Sequence, residues 1–212
     1  DKAIEGTLRS VFANCGQVCL GTERVYVERP IFNEFLSRLT EAAEGMQLGA
    51  WDDACTSMGP LISKEHQQKV LSYYAKAKAE GATLVTGGAE APDDLPTGYY
   101  VRPTVFANVR NDMTIAREEI FGPVLSILPY DTVDDAVRIA NDSDYGLSGG
   151  VWGADAEEAL AVARRLRTGQ VEVNGGRYNP LAPFGGYKQS GIGREYGRQG
   201  LEEFLETKAI QR

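Results

Sequence analysis

One cysteine in this sequence stands in a setting that suits a nucleophile. Cys19 follows a segment with helical apolar spacing and lies in a loop between Gly16 and Gly21. Glycine lets the backbone N–H groups of a loop approach a reacting centre closely. A thiol with an ordinary pKa of about 8.5 is only slightly ionised at neutral pH, so a nucleophilic cysteine needs nearby positive potential or a base. The alternative, taken from the loop alone, is a buried structural thiol.

Two further segments carry residues with possible binding chemistry. Residues 117–124 hold two adjacent acids before Phe121 and a Gly-Pro turn. A carboxylate there can accept hydrogen bonds from sugar hydroxyls, and the aromatic ring can lie beside a planar ligand. Residues 183–195 are rich in glycine and allow close approach to a ligand, but lack the G-x-G-x-x-G spacing of a dinucleotide fingerprint. Each segment alone also suits a structural loop.

Metal and protease-like chemistry would both depend on His66, the only histidine. With no second histidine and no clustered cysteines, the sequence predicts no metal site. A Cys19–His66 pair is formally available. However, His66 lies on a predicted helix beside Gln67, Gln68 and Lys69, so we expect it to face solvent.

Composition narrows the class of protein. The chain has 212 residues, 42% hydrophobic and 25% charged, with a net charge of −8. That charge disfavours nucleic acid and anionic membrane surfaces as partners, and no apolar run approaches the ~20 residues that span a bilayer. The three cysteines are an odd number for a disulfide framework, which favours a reducing compartment and a cytoplasmic location.

Predicted strands and helices alternate along the chain. The helices cover residues 4–12, 30–39, 64–80, 133–140, 156–166 and 195–206, and the strands cover residues 24–28, 82–86, 101–107, 124–128, 149–152 and 170–174. Ser63 and Thr132 are predicted N-caps, and Gly81 is a predicted helix stop. The pattern favours a single α/β domain with a mostly parallel sheet covered by helices.

Taken together, the segments resemble the aldehyde dehydrogenase superfamily in order and spacing. Residues 16–19 resemble its active-site cysteine motif, residues 118–123 its cofactor-clamp motif, and residues 183–191 its late signature. Residues 59–62 and 141–147 also match family patterns. The resemblance covers essentially the whole chain and implies the fold of the aldehyde dehydrogenase catalytic domain over residues 1–207, with residues 208–212 starting a C-terminal tail.

The resemblance assigns roles residue by residue. Because the family nucleophile follows the glutamine by two positions, it is Cys19, whereas Cys15 and Cys55 are structural. Glu119 binds the hydroxyls of the nicotinamide ribose, and Phe121 positions the nicotinamide. His66 and Lys69 fall near the adenosine end of the cofactor. The residues expected to line the substrate pocket are Phe184, Gln17, Val18 and Leu20.

The implied reaction is oxidation of a small-molecule aldehyde to a carboxylic acid through a thiohemiacetal and a thioester on Cys19, with NAD as the cofactor and NADP as the alternative. The backbone N–H of Cys19 and an asparagine from elsewhere hold the oxyanion, and a glutamate base activates water. In the family, that base lies in an E-L-G-G-K motif that this sequence lacks.

The sequence does not begin with Met, so we expect it to belong to a longer protein. We expect this chain to be the nucleophile-bearing half, inactive alone, with the family's N-terminal nucleotide-binding domain absent from it. Family members usually form homo-dimers or tetramers. Three alternatives stay open, namely a cofactor-free Cys19 hydrolase, a non-enzymatic relative and a CoA-acylating enzyme. The substrate is not readable, although residues 175–182, with Arg177, resemble the variable substrate loop.

Overall fold

Helices and strands alternate along the chain as predicted. The computed structural model describes residues 1–93, 95 and 97–212, which fall into two units, residues 1–142 and residues 143–212. The first unit contains α1 (Lys2–Phe12), β1 (Arg24–Glu28), α2 (Phe32–Glu44), α3 (Lys64–Ala79), β2 (Thr83–Thr86), β3 (Thr104–Ala107), α4 (Thr114–Arg117), β4 (Val124–Tyr130) and α5 (Val133–Asn141). The second contains β5 (Ser148–Val151), α6 (Ala156–Ala163), β6 (Gln170–Val173) and α7 (Gly197–Glu202). Short 3-10 turns cover Ala13–Gly16, Arg29–Ile31 and Lys188–Ser190.

The sheet of the first unit has the strand order β1-β4-β3-β2. Both β1 and β3 run parallel to β4, and only the edge strand β2 is antiparallel. The central strand β4 is buried over its first five residues, which explains its nearly continuous apolar sequence, since strands covered on both faces lose the alternation of a half-exposed strand. The predicted α/β class with a mostly parallel sheet is confirmed.

Helix α3 matters most for the site, because one of its faces is buried in the core. Val70, Tyr73, Tyr74 and Ala77 are buried at helical spacing. The rings of Tyr74 and Phe106 meet edge to face with centroids 5.7 Å apart. Burying one large apolar side chain contributes roughly 1.5–3 kcal/mol, so this face anchors α3 and leaves its neighbouring face free to contact loops.

The predicted helix boundaries agree with local capping chemistry. The Ser63 side chain accepts a hydrogen bond from the His66 backbone N–H (3.2 Å), and the Thr132 side chain does the same for Asp135 (3.1 Å). Each satisfies one of the N–H groups that a helix start leaves without a partner. Gly81 follows α3 with a left-handed φ of +95°, so the predicted helix stop is confirmed.

The clearest differences from the prediction are two elements that are shorter in the structure and one helix that was not predicted. The strand predicted over residues 101–107 is confined to β3, since Pro103 cannot donate a ladder hydrogen bond. The helix predicted over residues 195–206 is shorter, because Glu195 pairs with Phe184 and Tyr196 has a left-handed φ of +59°. Helix α4 has only four residues and is too short to show a period in the sequence.

The second unit is built on a parallel pair, β5 and β6, that packs with α6. Asp155 caps α6 by accepting hydrogen bonds from the backbone N–H groups of Glu157 (2.8 Å) and Glu158 (3.0 Å). No helix in the described part of the chain has the length and apolar character needed to cross a membrane.

Candidate active site

The chain leaves α1 through three consecutive residues with left-handed backbone conformations. They are Asn14 (φ 48°), Cys15 (φ 59°) and Gly16 (φ 72°). Two of them carry side chains, which makes this turn unusual. A Cβ on Gly16 would lie 2.0 Å from the carbonyl oxygen of Gly122. We call residues 14–21 the cysteine loop. Only glycine at position 16 allows this loop to contact the Gly122-Pro123 turn directly.

The thiols of Cys15 and Cys19 have different surroundings. Cys15 is buried, and its Sγ donates to the carbonyl oxygens of Gly59 (2.9 Å) and Pro60 (3.4 Å). Burial raises the pKa of the Cys15 thiol to about 11, although its hydrogen bond with Gly59 opposes that shift. A thiol that stays protonated is a poor nucleophile. Cys19 is exposed, which meets the access requirement of the role predicted for it.

Cys19 lies at the tip of a tight turn. The Gly21 N–H donates to the Val18 carbonyl at 2.8 Å, which closes a turn over residues 18–21. Val18 and Leu20 are half-buried on either side of the thiol. Their predicted place in a substrate pocket stays a prediction, but the turn projects the cysteine between them.

Gln17 fastens this turn to a neighbouring loop. Its Nε2 donates to the Asn14 carbonyl (3.1 Å), and its Oε1 accepts from the Ile62 N–H (3.0 Å). Residues 59–62 therefore contact the cysteine loop twice, through Cys15 and through Gln17. These contacts give Gln17 a structural role, while its predicted role in the substrate pocket stays a prediction.

One face of α3 holds the loop of residues 118–121. His66 Nε2 donates to the Phe121 carbonyl at 2.6 Å, and Lys69 Nζ donates to the Glu119 carbonyl at 3.2 Å. The Tyr73 hydroxyl lies 2.8 Å from Glu118 Oε2, to which it donates. Positions 66, 69 and 73 share a helix face. The four residues predicted to bind cofactor, Glu119, Phe121, Lys69 and His66, are thus brought together.

His66 is half-buried, which corrects the expectation that it faces solvent. Its ring meets the Phe121 ring edge to face with centroids 6.3 Å apart, and its Nε2 bonds the Phe121 carbonyl. Because that nitrogen is engaged with the loop, the alternative of a protease-like pair with Cys19 finds no support in these contacts.

Glu23 is a site residue that the sequence did not reveal. Its carboxylate accepts from the backbone N–H groups of Ile120 (Oε2, 3.1 Å) and Phe121 (Oε1, 2.8 Å). Burial raises the pKa of Glu23; the two backbone hydrogen bonds and Lys69 oppose that shift, whereas Glu119 adds to it. A lone acid before a strand is an ordinary surface pattern, so no local signal marks its tertiary partners.

The loop held in this way presents two groups outward. Phe121 has a left-handed φ of 60° and a half-buried ring, and the Glu119 carboxylate is exposed. A carboxylate accepts hydrogen bonds from hydroxyl groups, and an aromatic ring packs against a planar group. The pair suits a ligand that carries both a sugar and a ring.

Phe184 belongs to the second unit, where it lies in an aromatic cluster. Its backbone exchanges two hydrogen bonds of 2.7 Å with Glu195. Its ring lies 6.4 Å from that of Tyr196, which in turn lies 6.2 Å from that of Tyr178. Only Phe184 of this cluster is predicted individually to line the substrate pocket. Tyr178 sits within the predicted substrate loop, as does Arg177, which is exposed.

No group of three or more His, Cys, Asp or Glu side chains that could hold a metal ion occurs among the residues that the structure describes.

Comparisons with known proteins agree with the motifs. The sequence model of the Aldehyde dehydrogenase family matches residues 1–210. The chain is 51% and 49% identical to 2-hydroxymuconic semialdehyde dehydrogenases from a Pseudomonas species and from Pseudomonas putida, over 99% of this chain and 44% of each relative. The NAD+ complex of an aldehyde dehydrogenase from Bacillus cereus is 43% identical with a TM-score of 0.93, over 99% of this chain and 42% of that one.

The aldehyde dehydrogenase of Mycobacterium tuberculosis, complexed with NAD+, is 45% identical with a TM-score of 0.93, over 96% of this chain and 42% of that one. The chain therefore spans less than half the length of the relatives it matches. Because the family model matches nearly every residue and the solved relatives share the fold, this chain belongs to the aldehyde dehydrogenase family.

Proposed function

We propose that the protein containing this chain oxidises an aldehyde to a carboxylic acid with NAD+, and that Cys19 is the nucleophile. This proposal rests mainly on one observation. Gly16, in the cysteine loop, is in direct contact with Gly122, which lies beside the loop that presents Glu119 and Phe121. An exposed thiol and a surface suited to a sugar and a planar ring are therefore built on adjoining loops of one unit.

In the first step, the Cys19 thiolate attacks the carbonyl carbon, forming a C–S bond as the carbonyl electron pair moves to oxygen. The backbone N–H of Cys19 is the donor that this chain offers to the oxyanion, and one such donor is typically worth ~10²–10³ in rate. Loss of hydride from the thiohemiacetal gives a thioester on Cys19. Attack of water on the thioester releases the acid and restores the thiol.

The residues of the loop fit the cofactor proposed for it. Bound NAD+ supplies the acceptor for the hydride. Lys69 bonds the peptide carbonyl of Glu119 and leaves its exposed carboxylate available to ribose hydroxyls. Phe121 offers a ring edge and face to the nicotinamide end. His66 and Lys69 contact the loop itself, so we assign them a loop-holding role beside their predicted place near the adenosine.

We propose a semialdehyde as the substrate, which means an aldehyde that also carries a carboxylate. Two of the relatives, 51% and 49% identical, are named for 2-hydroxymuconic semialdehyde. Arg177 is exposed in the predicted substrate loop and can pair with a carboxylate. The rings of Tyr178, Phe184 and Tyr196 suit a flat conjugated chain.

Other parts of the proposal concern the whole protein. We place it in the cytoplasm as a homo-dimer or tetramer, with a nucleotide-binding domain supplying the base and most cofactor contacts. We expect the 212-residue chain alone to turn over aldehyde poorly, because its sequence has no E-L-G-G-K motif.

The test is NADH formation from a panel of aliphatic, aromatic and semialdehyde substrates by the longest natural form of the protein. Cys19→Ala should abolish activity, while Cys55→Ala, at another exposed thiol, should retain it. The 212-residue chain should give little NADH. Equal activity of wild type and Cys19→Ala, or no NADH from any aldehyde with or without CoA, would refute the proposal.

A further inference from the structure

We propose that Glu23 is a positioning residue, which holds the loop of residues 118–121 in its cofactor-binding shape and so sets affinity for NAD+ without acting on the chemistry at Cys19. This inference rests on the proposed function, because the roles of Glu119 and Phe121 toward NAD+ give that loop its purpose.

The first support is the geometry of the carboxylate. Its two oxygens each accept one backbone N–H, from Ile120 at 3.1 Å and from Phe121 at 2.8 Å. Hydrogen bonds to an ionised acceptor are stronger than those between neutral groups. A glutamine in the same place can accept only one of them, since its NH2 group would face the other N–H.

The second support is the conformation that these bonds maintain. Phe121 has a left-handed φ of 60°, which costs an L-residue with a side chain energy unless its surroundings fix it. The Glu23 carboxylate accepts the Phe121 N–H, and His66 donates to the Phe121 carbonyl. When the Glu23 bond is lost, the backbone can relax out of this region, and the Phe121 ring and the Glu119 carboxylate turn with it.

The third support is where Glu23 is anchored. Its carbonyl accepts the Ser126 N–H at 2.9 Å, so its backbone joins the ladder between β1 and β4. Because the sheet holds the Glu23 backbone, it also fixes the position of the Glu23 carboxylate, which in turn binds the loop of residues 118–121. The turn around Cys19 is closed separately, by Gly21 with Val18 and by the contacts of Gln17. Loss of the Glu23 carboxylate should thus leave the thiol in place.

The experiment compares Glu23→Gln with Glu28→Gln in the longest natural form of the protein. Glu28 is an exposed acid at the end of β1, the strand that Glu23 immediately precedes, and provides the matched charge control. Four quantities are measured, namely the Kd for NAD+ by calorimetry, KM for NAD+ and kcat with a reactive aldehyde, and the rate of Cys19 alkylation by iodoacetamide without NAD+.

Glu23→Gln should raise Kd and KM for NAD+ about tenfold, the scale expected for loss of one charge-assisted hydrogen bond. Its kcat and alkylation rate should stay within about twofold of wild type, and Glu28→Gln should leave all four quantities unchanged. In a Glu119→Gln background the effect of Glu23→Gln should shrink, because the two residues act through one loop. If Glu23→Gln does not fold, Glu23→Asp keeps the charge but not the reach, and should weaken NAD+ binding alone.

Several results would overturn the inference. Unchanged NAD+ affinity in Glu23→Gln, with a raised Kd in Glu119→Gln, would show that Glu23 does not position the loop. The proposed function would then still hold. Equal losses in NAD+ affinity, kcat and alkylation rate would indicate a general structural role. If Glu119→Gln itself has normal affinity, the role proposed for the loop fails, and this inference fails with it.

Discussion

Gly16→Ala is the most direct perturbation of the contact between the two motifs. The new Cβ would lie 2.0 Å from the Gly122 carbonyl oxygen, 2.4 Å from its carbon and 3.0 Å from the Pro123 nitrogen. These are backbone atoms, so the clash cannot be relieved by rotating a side chain. The φ of 72° adds a conformational penalty that glycine avoids.

The magnitude follows from two contributions. A left-handed residue with a side chain costs roughly 1–2 kcal/mol, and forcing extra volume into a packed contact costs roughly 1–3 kcal/mol. Their sum of about 2–5 kcal/mol corresponds to a Tm lower by roughly 4–20 °C, at about 2–4 °C per kcal/mol for a chain of this size. The clash should also displace the turn that carries Cys19.

The assay is thermal unfolding by circular dichroism together with the iodoacetamide reaction of Cys19. Gly150→Ala is the matched control, because a Cβ there has nothing within 4 Å and its φ lies outside the left-handed range. It should change stability by less than about 0.5 kcal/mol. If Gly16→Ala and Gly150→Ala have the same Tm and the same alkylation rate, the reasoning about this contact is wrong.

Three more predictions concern single residues. Burial raises the pKa of Cys15 from the ordinary thiol value, which lies between about 8.5 and 9.0, to about 11. The stability linked to its protonated thiol is therefore complete below pH 9 and lost as pH rises to about 11, by about 2 kcal/mol, and urea unfolding at pH 8 and 11 should show a smaller drop in Cys15→Ala. Ser63→Ala removes the N-cap of α3 and should lower the free energy of unfolding by about 1 kcal/mol in a urea titration; no change would contradict the cap. Gln17→Ala leaves the Ile62 N–H without its partner, so Cys19 alkylation rates should change by more than about twofold, and an unchanged rate would contradict the structural role of Gln17.

Local chemistry made much of the fold predictable. Ser63 and Thr132 mark helix starts because a short polar side chain satisfies backbone N–H groups within three residues. Gly81 marks a helix end because it takes the left-handed conformation without a Cβ penalty. The buried strand β4 shows itself as an apolar run. In each case the cause and the signal lie within a few residues of each other.

The residues that hold the site loops in place could not be predicted from nearby sequence. Glu23 bonds the backbone of Ile120 and Phe121, which lie 97 and 98 positions further along the chain. The left-handed φ of Phe121 depends on the second of these bonds. The alanine-excluding contact at Gly16 likewise depends on Gly122, far away in sequence. The resemblance of the motifs predicted which residues belong to one site, whereas the side chains that hold the loops in place became visible only in the folded chain.

The most direct test of the central claim is peptide mass spectrometry of the longest natural form of the protein, quenched in acid during turnover of an aldehyde with NAD+. We predict an acyl group that fragmentation of the peptide assigns to Cys19, present only when NAD+ is included, with Cys15 and Cys55 unmodified. Acylation confined to Cys15 or Cys55, or turnover by Cys19→Ala at the wild-type rate, would contradict it.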